Sequence, residues 1–393
     1  MRVAIASRIF EPEPSAASVR LAALANALTE AGHEVTVLTV KPPKHLAAAA
    51  DDGARAYRVR RFPVLRDRTG YVRGYLQYLS FDVPLLFRIL FGSRFDAVVI
   101  EPPPTTGFFG RIATAIRRTP YVYYAADIWS DAASQTGAGG AIVRIVAAVE
   151  RWVLRGARIV LAVSPGVRDR LAELGITEGV TMIGNGVDVT PYGADGAAVE
   201  TEHPTFVYAG TASEWHGAEV LVDAFAAVRA QREDARLLFI GGGSERERLV
   251  ERTHELGVSA AVEFRPVLPP AALAEVLRGA AASVATCRPG AGYDFAFPTK
   301  LYSSAACGTP VIFAGLGPAL EFVRSEVDGR AIGEGTPWDA EELAAAMLRE
   351  LAAPATPAQR SATAAWAADN VSIRRSAQAA VREIEQEIGP GTR

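Results

Sequence analysis

Cysteine is nearly absent from this 393-residue chain: there are two, Cys287 and Cys307, and no Cys-x-x-Cys pair. That excludes a disulfide framework and a cysteine-based zinc site, and it suits a reducing, cytosolic setting. The histidines, at 33, 45, 203, 216 and 254, are scattered and give no metal pair. There is no Asp-x-Asp to hold a metal against a diphosphate. A P-loop (G-x-x-x-x-G-K-S/T) and a G-x-S-x-G elbow are both missing, so NTPase and serine-hydrolase readings lose their usual support. No window reaches about 20 uncharged apolar residues; the best, 142–163, is broken by Arg144, Glu150, Arg151, Arg155 and Arg158. The apolar run in MRVAIASR stops at Ser7 and Arg8, too short for a secretory leader and suited to a first strand. The expectation is a cytoplasmic chain that spans no membrane.

Glycine is missing where a dinucleotide oxidoreductase would need it. The loop after the first strand reads SRIFEPEPSAAS, without G-x-G-x-x-G. The run GGGS (241–244) follows a later strand, lacks the acid that would hold a ribose, and is weak evidence alone.

Charge is nearly balanced at −3 with a pI near 6.1, which argues against nucleic acid as a partner. It is unevenly spread: residues 1–200 hold 23 Lys/Arg against 19 Asp/Glu, a balance of +4, leaving −7 for the rest. Arg58, Arg60, Arg61, Arg66, Arg68 and Arg73 sit together, interleaved with Tyr57, Tyr71, Tyr75 and Tyr78. A solvated surface loop is one reading. An anionic membrane surface or a phosphate-bearing acceptor is the other.

What the chain has in abundance is short apolar runs alternating with helical periodicity. In the first half the runs are 3–7, 34–40, 97–100, 121–125, 159–164 and 180–184, with helices expected at 19–32, 142–155 and 166–174. Residues 189–204, VTPYGADGAAVETEHP, lose all periodicity and read as a linker. A second series follows, with strands at 205–210, 236–241, 262–266, 283–287 and 310–314. Helices alternate with them at 216–230, 244–256, 270–279 and 339–352. An amphipathic helical tail is expected over 358–388. Strands alternating with helices imply an α/β chain of two doubly wound parallel sheets. The expected boundaries are 1–190, a linker at 191–204, 205–357, and a tail at 358–393. The cleft between two such domains is the default site.

One stretch of the second half carries chemistry: DFAFPTKLYSSAACGTPVIFAG (294–315). Pro298 fixes a turn, Thr299 can cap, and Lys300 stands in the first turn of a short helix. The helix dipole disfavours a cation there by about 0.3–1 kcal/mol. A lysine and a phosphate at about 4 Å attract by roughly 4 kcal/mol gross at an effective dielectric near 20. The placement therefore makes sense if an anion lies beside Lys300. Small residues in SSAAC allow close approach, and Gly308-Thr309-Pro310 stops the helix and turns the chain into a strand. An ordinary turn with a surface lysine is the competing explanation.

Residues 298–312, PTKLYSSAACGTPVI, resemble the sugar-nucleotide motif of GT-B glycosyltransferases of family 4, closest to the bacterial surface-polysaccharide branch. Four further segments resemble the same family in the same order: 11–39 (EPEPSAASVRLAALANALTEAGHEVTVLT), 121–133 (YVYYAADIWSDAA), 183–192 (IGNGVDVTPY) and 208–217 (YAGTASEWHG). The resemblance implies two Rossmann-like domains facing across a cleft, with the C-terminal helix crossing back to the first. It implies a nucleotide-sugar donor on the second domain and an acceptor approaching from the first. The transfer would retain anomeric configuration without metal or cofactor, serving polysaccharide biosynthesis, a lipid carrier or a secondary metabolite. Preorganised donors aimed at the leaving phosphate suffice for such catalysis.

Carried over by position, Gly210 and Thr211 would lie beside the diphosphate, Lys300 would be the main phosphate contact, and Pro298 and Thr299 would belong to the same donor-binding set. His216 stands where many relatives have lysine. Val267 would meet the base through its backbone. Asp127 would face the reacting sugar, its competing reading being a helix cap. Ser15 and Ala16 replace glycines of the first loop. Ser303 replaces a glutamate that relatives pair with an acid eight positions earlier, here Phe295. Ribose would then be held otherwise, with Ser303, Ser304 or Asp294 as candidates, or the sugar would be an unusual one such as a deoxy or amino sugar. The alternatives are a sugar-nucleotide epimerase of the same fold and a non-catalytic nucleotide-sugar-binding protein. Peripheral membrane contact through the arginine segment is a further expectation.

Overall fold

The computed structural model describes residues 1–13, 15–67, 70, 72, 74–130, 140–290, 294 and 297–389. The chain divides into two units, Met1–Asn185 with Ile373–Arg393, and Gly186–Ser372.

The first unit is built on strands β1 (Arg2–Ala6), β2 (Glu34–Val40), β3 (Arg58–Phe62), β4 (Ala97–Ile100), β5 (Tyr121–Ala125), β6 (Ile159–Ala162) and β7 (Val180–Met182). They form one parallel sheet in the order β3-β2-β1-β4-β5-β6-β7. The helices are α1 (Ala16–Glu30), α2 (Tyr75–Phe91), α3 (Pro104–Arg117), α4 (Gly140–Gly156) and α5 (Pro165–Glu173). Crossover helices cover both faces of a parallel sheet, so its inner strands carry no polar face. β1, β4, β5 and β6 accordingly read VAIA, AVVI, YVYYA and IVLA, buried throughout those runs. α1 buries Leu21, Leu24 and Leu28 at three- and four-residue spacing against them.

The second unit repeats the plan. Strands β8 (Thr205–Ala209), β9 (Arg236–Ile240), β10 (Val262–Arg265), β11 (Ala282–Thr286) and β12 (Val311–Ala314) are followed by a small hairpin, β13 (Glu326–Val327) with β14 (Arg330–Ala331), and by β15 (Gly333–Thr336). The main sheet is parallel in the order β10-β9-β8-β11-β12-β15. Its helices are α6 (Glu219–Gln231), α7 (Arg246–Glu255), α8 (Pro270–Gly279), α9 (Lys300–Ala306), α10 (Pro318–Val323), α11 (Ala340–Ala352) and α12 (Pro357–Asn370). The expected tail is two helices. α12 stays with the second unit, while α13 (Ile373–Ile388) buries Ala377, Ala380, Val381 and Ile384 in the first unit's core. His33–Glu385 and Arg374–Glu30, both at 3.0 Å, tie α13 to that unit.

Three local expectations are corrected. Ser15 and Ala16 are not loop residues: Ser15 is extended, accepts the Ser18 N–H at 3.0 Å, and caps α1, which starts at Ala16. The helix expected from 216 is a 3-10 turn over Glu214–His216, broken at Gly217, before α6 begins at Glu219. The arginine segment is not one solvated loop, because 58–62 is strand β3. Arg61 is held by both Asp52 oxygens (2.7 and 2.8 Å) and Arg66 by both Glu13 oxygens (2.8 and 3.0 Å). Arg58 pairs with Glu34 at 3.4 Å. Arg68, Tyr71 and Arg73 lie outside the described residues. Among the described residues no helix is long and apolar enough to cross a membrane.

The abrupt end of α9 has a packing cause. Gly308 takes φ +69°, and a Cβ there would run into the Arg360 carbonyl of α12. The Thr309 hydroxyl, fully buried, donates to the Leu277 carbonyl at 2.6 Å. Gly308→Ala combines a left-handed backbone with a main-chain collision. It should lower unfolding free energy by about 2 kcal/mol or more, read as a shifted denaturant midpoint; an unchanged midpoint would mean that α12 moves freely.

Candidate functional site

In an open α/β sheet, ligands bind beyond the carboxyl ends of the strands, where strand order reverses. In the second unit that point lies between β8 and β11. The chain leaves β8 through Gly210 and Thr211, both exposed. The loop from 210 to 213 rests on the glycine run 241–243: the Ala212 N–H donates to the Gly242 carbonyl at 2.8 Å, and a Cβ on Gly243 would meet the Ala212 carbonyl. GGGS is thus a cradle for the neighbouring loop, which explains it without a dinucleotide.

Lys300 points into this place. Its residue surface is half-buried, but Nζ itself is sealed from solvent and has no hydrogen-bond partner among the described residues. Nζ lies 3.6 Å from the centroid of the Tyr208 ring, and a Cβ on Gly210 would stand 3.0 Å from Lys300 Cε. Burial pushes the ammonium down to about 7, with a small opposing influence from Cys287. The ring face offsets only part of that desolvation. The cost of Lys300 therefore comes from burial; α9 is a seven-residue helix with little dipole to oppose a cation.

His216 is buried and its Nδ1 lies 2.7 Å from the Ser213 hydroxyl. Burial, then the neighbouring Lys300 charge, pushes it down to about 3, so it stands neutral beside that lysine. Thr299 occupies the N-cap position with helical dihedrals and makes no side-chain cap bond, unlike the expectation from its sequence. Pro298 is buried, and its carbonyl accepts from Leu301 N–H at 3.0 Å. The Ser303 and Ser304 hydroxyls both donate back to the Lys300 carbonyl, at 3.0 and 2.9 Å, the usual internal outlet for a hydroxyl on a helix. Asp294 accepts from the Gly290 N–H at 3.0 Å, and Phe295 lies outside the described residues. Val267 stands past β10 and is 77% exposed. The sequence reading missed Arg288, just past β11, which pairs with Glu219 and lies over the Trp338 ring.

The first unit has its own charged cluster at the equivalent reversal, between β1 and β4. Glu101, following β4, receives Ser7 Oγ at 2.6 Å and pairs with the buried Arg20 at 2.7 Å. Arg8, following β1, lies 3.8 Å above the Tyr78 ring. Asp127, two residues past β5, reaches solvent on one side. The protein around it still pushes its carboxyl up to about 6, through desolvation first, with Arg20 pulling down and Glu101 pushing up. The helix-cap reading of Asp127 finds no support: the N–H groups of Trp129 and Ser130 go to the Glu150 carboxylate at 2.8 and 2.9 Å. Arg8, Arg20, Glu101 and Glu150 carry no motif in the sequence. Their one signal is a charged residue at or just after an apolar strand, which here holds for Arg8 and Glu101 alone.

Comparison with known proteins gives two family matches in tandem, a "Glycosyl transferase 4-like domain" over residues 15–186 and "Glycosyl transferases group 1" over residues 203–353. Among curated relatives, a glycogen synthase of Mycobacterium tuberculosis is 28% identical over 229 residues, 58% of this chain and 53% of that protein. The chain thus spans about half the length of that relative. A GDP-mannose-dependent alpha-(1-6)-phosphatidylinositol monomannoside mannosyltransferase of Mycobacterium tuberculosis is 28% identical over 329 residues, 77% of this chain and 79% of that protein. Among solved structures, HepE of Anabaena in complex with UDP and glucose superposes with a TM-score of 0.74 at 19% identity, over 98% of this chain and 100% of that one. The fold of the two parallel-sheet units is that of the GT-B glycosyltransferases.

Proposed function

Because the chain belongs to the glycosyltransferases, its two halves being a 4-like domain and a group 1 domain, we propose that it transfers a sugar from a nucleoside-diphosphate sugar to a hydroxyl acceptor. The bond from the anomeric carbon to the diphosphate oxygen breaks, the diphosphate keeps the electron pair, and the acceptor oxygen passes its proton to that leaving diphosphate as it bonds to the same face of the carbon. The transfer retains configuration and needs no metal. The acceptor is a polysaccharide precursor, a lipid carrier or a secondary metabolite.

The observation that carries this reading is Lys300: a buried Nζ without a hydrogen-bond partner, held at the carboxyl end of β8. A buried cation in that state is stabilised by an anion more than by anything already in the protein. A leaving diphosphate is the anion this chemistry develops, and a fixed cation aimed at developing charge accelerates its departure. Neutral His216 leaves that duty to Lys300. In the first unit, Asp127 is assigned to orient the reacting sugar or acceptor.

Titration calorimetry with UDP, GDP, TDP, ADP and NAD in EDTA tests the reading. One diphosphate should bind and the rest, NAD included, should not; failure of all five would leave only the fold. With the matching sugar nucleotide, transfer to an added acceptor is expected. Nucleotide release with no acceptor would instead favour an epimerase, and tight binding without turnover a sensor.

A further inference from the structure

α2, YLQYLSFDVPLLFRILF, is mostly apolar, with Gln77, Ser80, Asp82 and Arg88 as its polar side chains besides the tyrosines, although one side of it faces solvent. Phe81, Leu85 and Ile89 are buried in the first unit's core. Tyr75, Leu76, Leu79, Val83, Phe87 and Phe91 are exposed, Phe91 at 82%. A helix at the surface of a globular protein ordinarily turns polar residues outward. Here the exposed positions from Leu76 onward stand three or four apart and make one continuous apolar strip, closed at its end by the stacked pair Phe87 and Phe91.

The strip continues onto its neighbours. α2 packs on α3, and α3 on α4; Ile116 on α3 and Ile142, Ile145 and Trp152 on α4 are also exposed. Charge on these three helices is of one sign. Their two carboxylates are buried inward: Asp82 accepts from the Thr106 hydroxyl at 2.6 Å, and Glu150 takes the Trp129 and Ser130 N–H groups. Arg144, Arg151 and Arg155 are exposed on α4, and exposed Arg94 and Arg118 stand just past the ends of α2 and α3.

We propose that this face docks the chain on an anionic lipid bilayer, with α2 lying in the headgroup plane and the arginines on phosphate. Apolar residues flanked mostly by cations, exposed Asp96 beside Arg94 being an exception, are the composition of an interfacial helix, and each arginine near an anionic surface contributes additively. A helix of this length and sequence cannot cross the bilayer. A second copy of the chain would set arginine against arginine, which weighs against self-association. The arginines of residues 58–66 are mostly bound to Glu34, Asp52 and Glu13, so the membrane face is this helical layer and not that segment. The inference is independent of the transfer reaction.

Vesicle co-sedimentation of the full chain tests it. Wild type should pellet with phosphatidylcholine vesicles containing phosphatidylserine, stay in the supernatant with phosphatidylcholine alone, and be released by salt. The double variants Phe87→Ser/Phe91→Ser and Arg144→Glu/Arg151→Glu replace exposed side chains and should keep the wild-type thermal unfolding. Each should lower the partition coefficient at least about tenfold. Three results would overturn the proposal: binding indifferent to phosphatidylserine, binding unchanged in both variants, or a protein dimer dissolved by the phenylalanine variant while wild type ignores vesicles.

Discussion

Lys300→Met should weaken diphosphate binding by about 1.5–3 kcal/mol, roughly tenfold to more than a hundredfold, while making the ligand-free protein more stable. Methionine keeps most of the volume and removes the charge. Burial pushes wild-type Nζ down from the ordinary 10.5 to about 7. Between those values the unfolded chain binds the extra proton and the folded chain does not, so wild-type stability rises with pH across that window. Below about 7 the folded protein carries the whole burden of the buried charge. The methionine variant lacks that dependence and should exceed wild type at pH 7 by about 1–3 kcal/mol in chemical denaturation.

Binding runs the other way. A diphosphate raises the lysine's affinity for its proton, so the complex holds more protons than the free protein above pH 7. Wild-type affinity should therefore fall as pH rises beyond about 7, by up to about tenfold per unit, with proton uptake seen as buffer-dependent calorimetric heat. Lys300→Met reports the ligand's own titration and serves as the reference. Superposable pH profiles for the two proteins would remove Lys300 from the ligand site and with it the central support for metal-free phosphate binding.

Asp127→Asn should cost turnover and spare the donor. The amide keeps the shape and loses the charge, so kcat/KM is expected to drop by about 10²–10⁴, with diphosphate affinity within about twofold of wild type. The wild-type carboxyl is pushed up to about 6. Its charged form therefore predominates only above that pH, and wild-type activity should climb through pH 6 to a plateau, an inflection the asparagine variant lacks. The folded state binds the extra proton between the ordinary carboxyl range and 6, so this group's contribution to stability is present at lower pH and lost as pH rises through 6. Asp127→Asn should accordingly be no less stable than wild type at pH 7. Activity retained within a few-fold would return Asp127 to an ordinary surface acid.

These two residues were legible from sequence for different reasons. Lys300 stood in a run whose turn, lysine, small helix and Gly-Thr-Pro stop are contiguous, so the motif is visible in one window even though Tyr208 and Gly210, which meet its amine, lie far back along the chain. Asp127 was visible only through resemblance, since nothing local separates a sugar-facing acid from a helix cap. Glu150 bears on the cap reading alone, by taking the Trp129 and Ser130 N–H groups, and it lies more than twenty residues away on α4. Arg20 is similar: it looks like one polar position on α1 until β4 brings Glu101 to within 2.7 Å. Ser303 and Ser304 show the reverse, hydroxyls that seemed free for a ribose and that the helix's own carbonyl takes up.

By itself the sequence determined the alternation of strand and helix, the two parallel sheets, and the place of Lys300 at the start of a short helix, because apolar period, chain-reversing residues and motif spacing are local properties. The tertiary structure alone decided that Lys300 is sealed and unpaired, that His216 stands neutral, that the arginines of 58–66 serve neighbouring carboxylates, and that α2 keeps an apolar side in solvent. Each of these depends on what lies across space from the residue. Desolvation and charge pairing are set by neighbours the chain brings together from far along its length, and no window of sequence contains them.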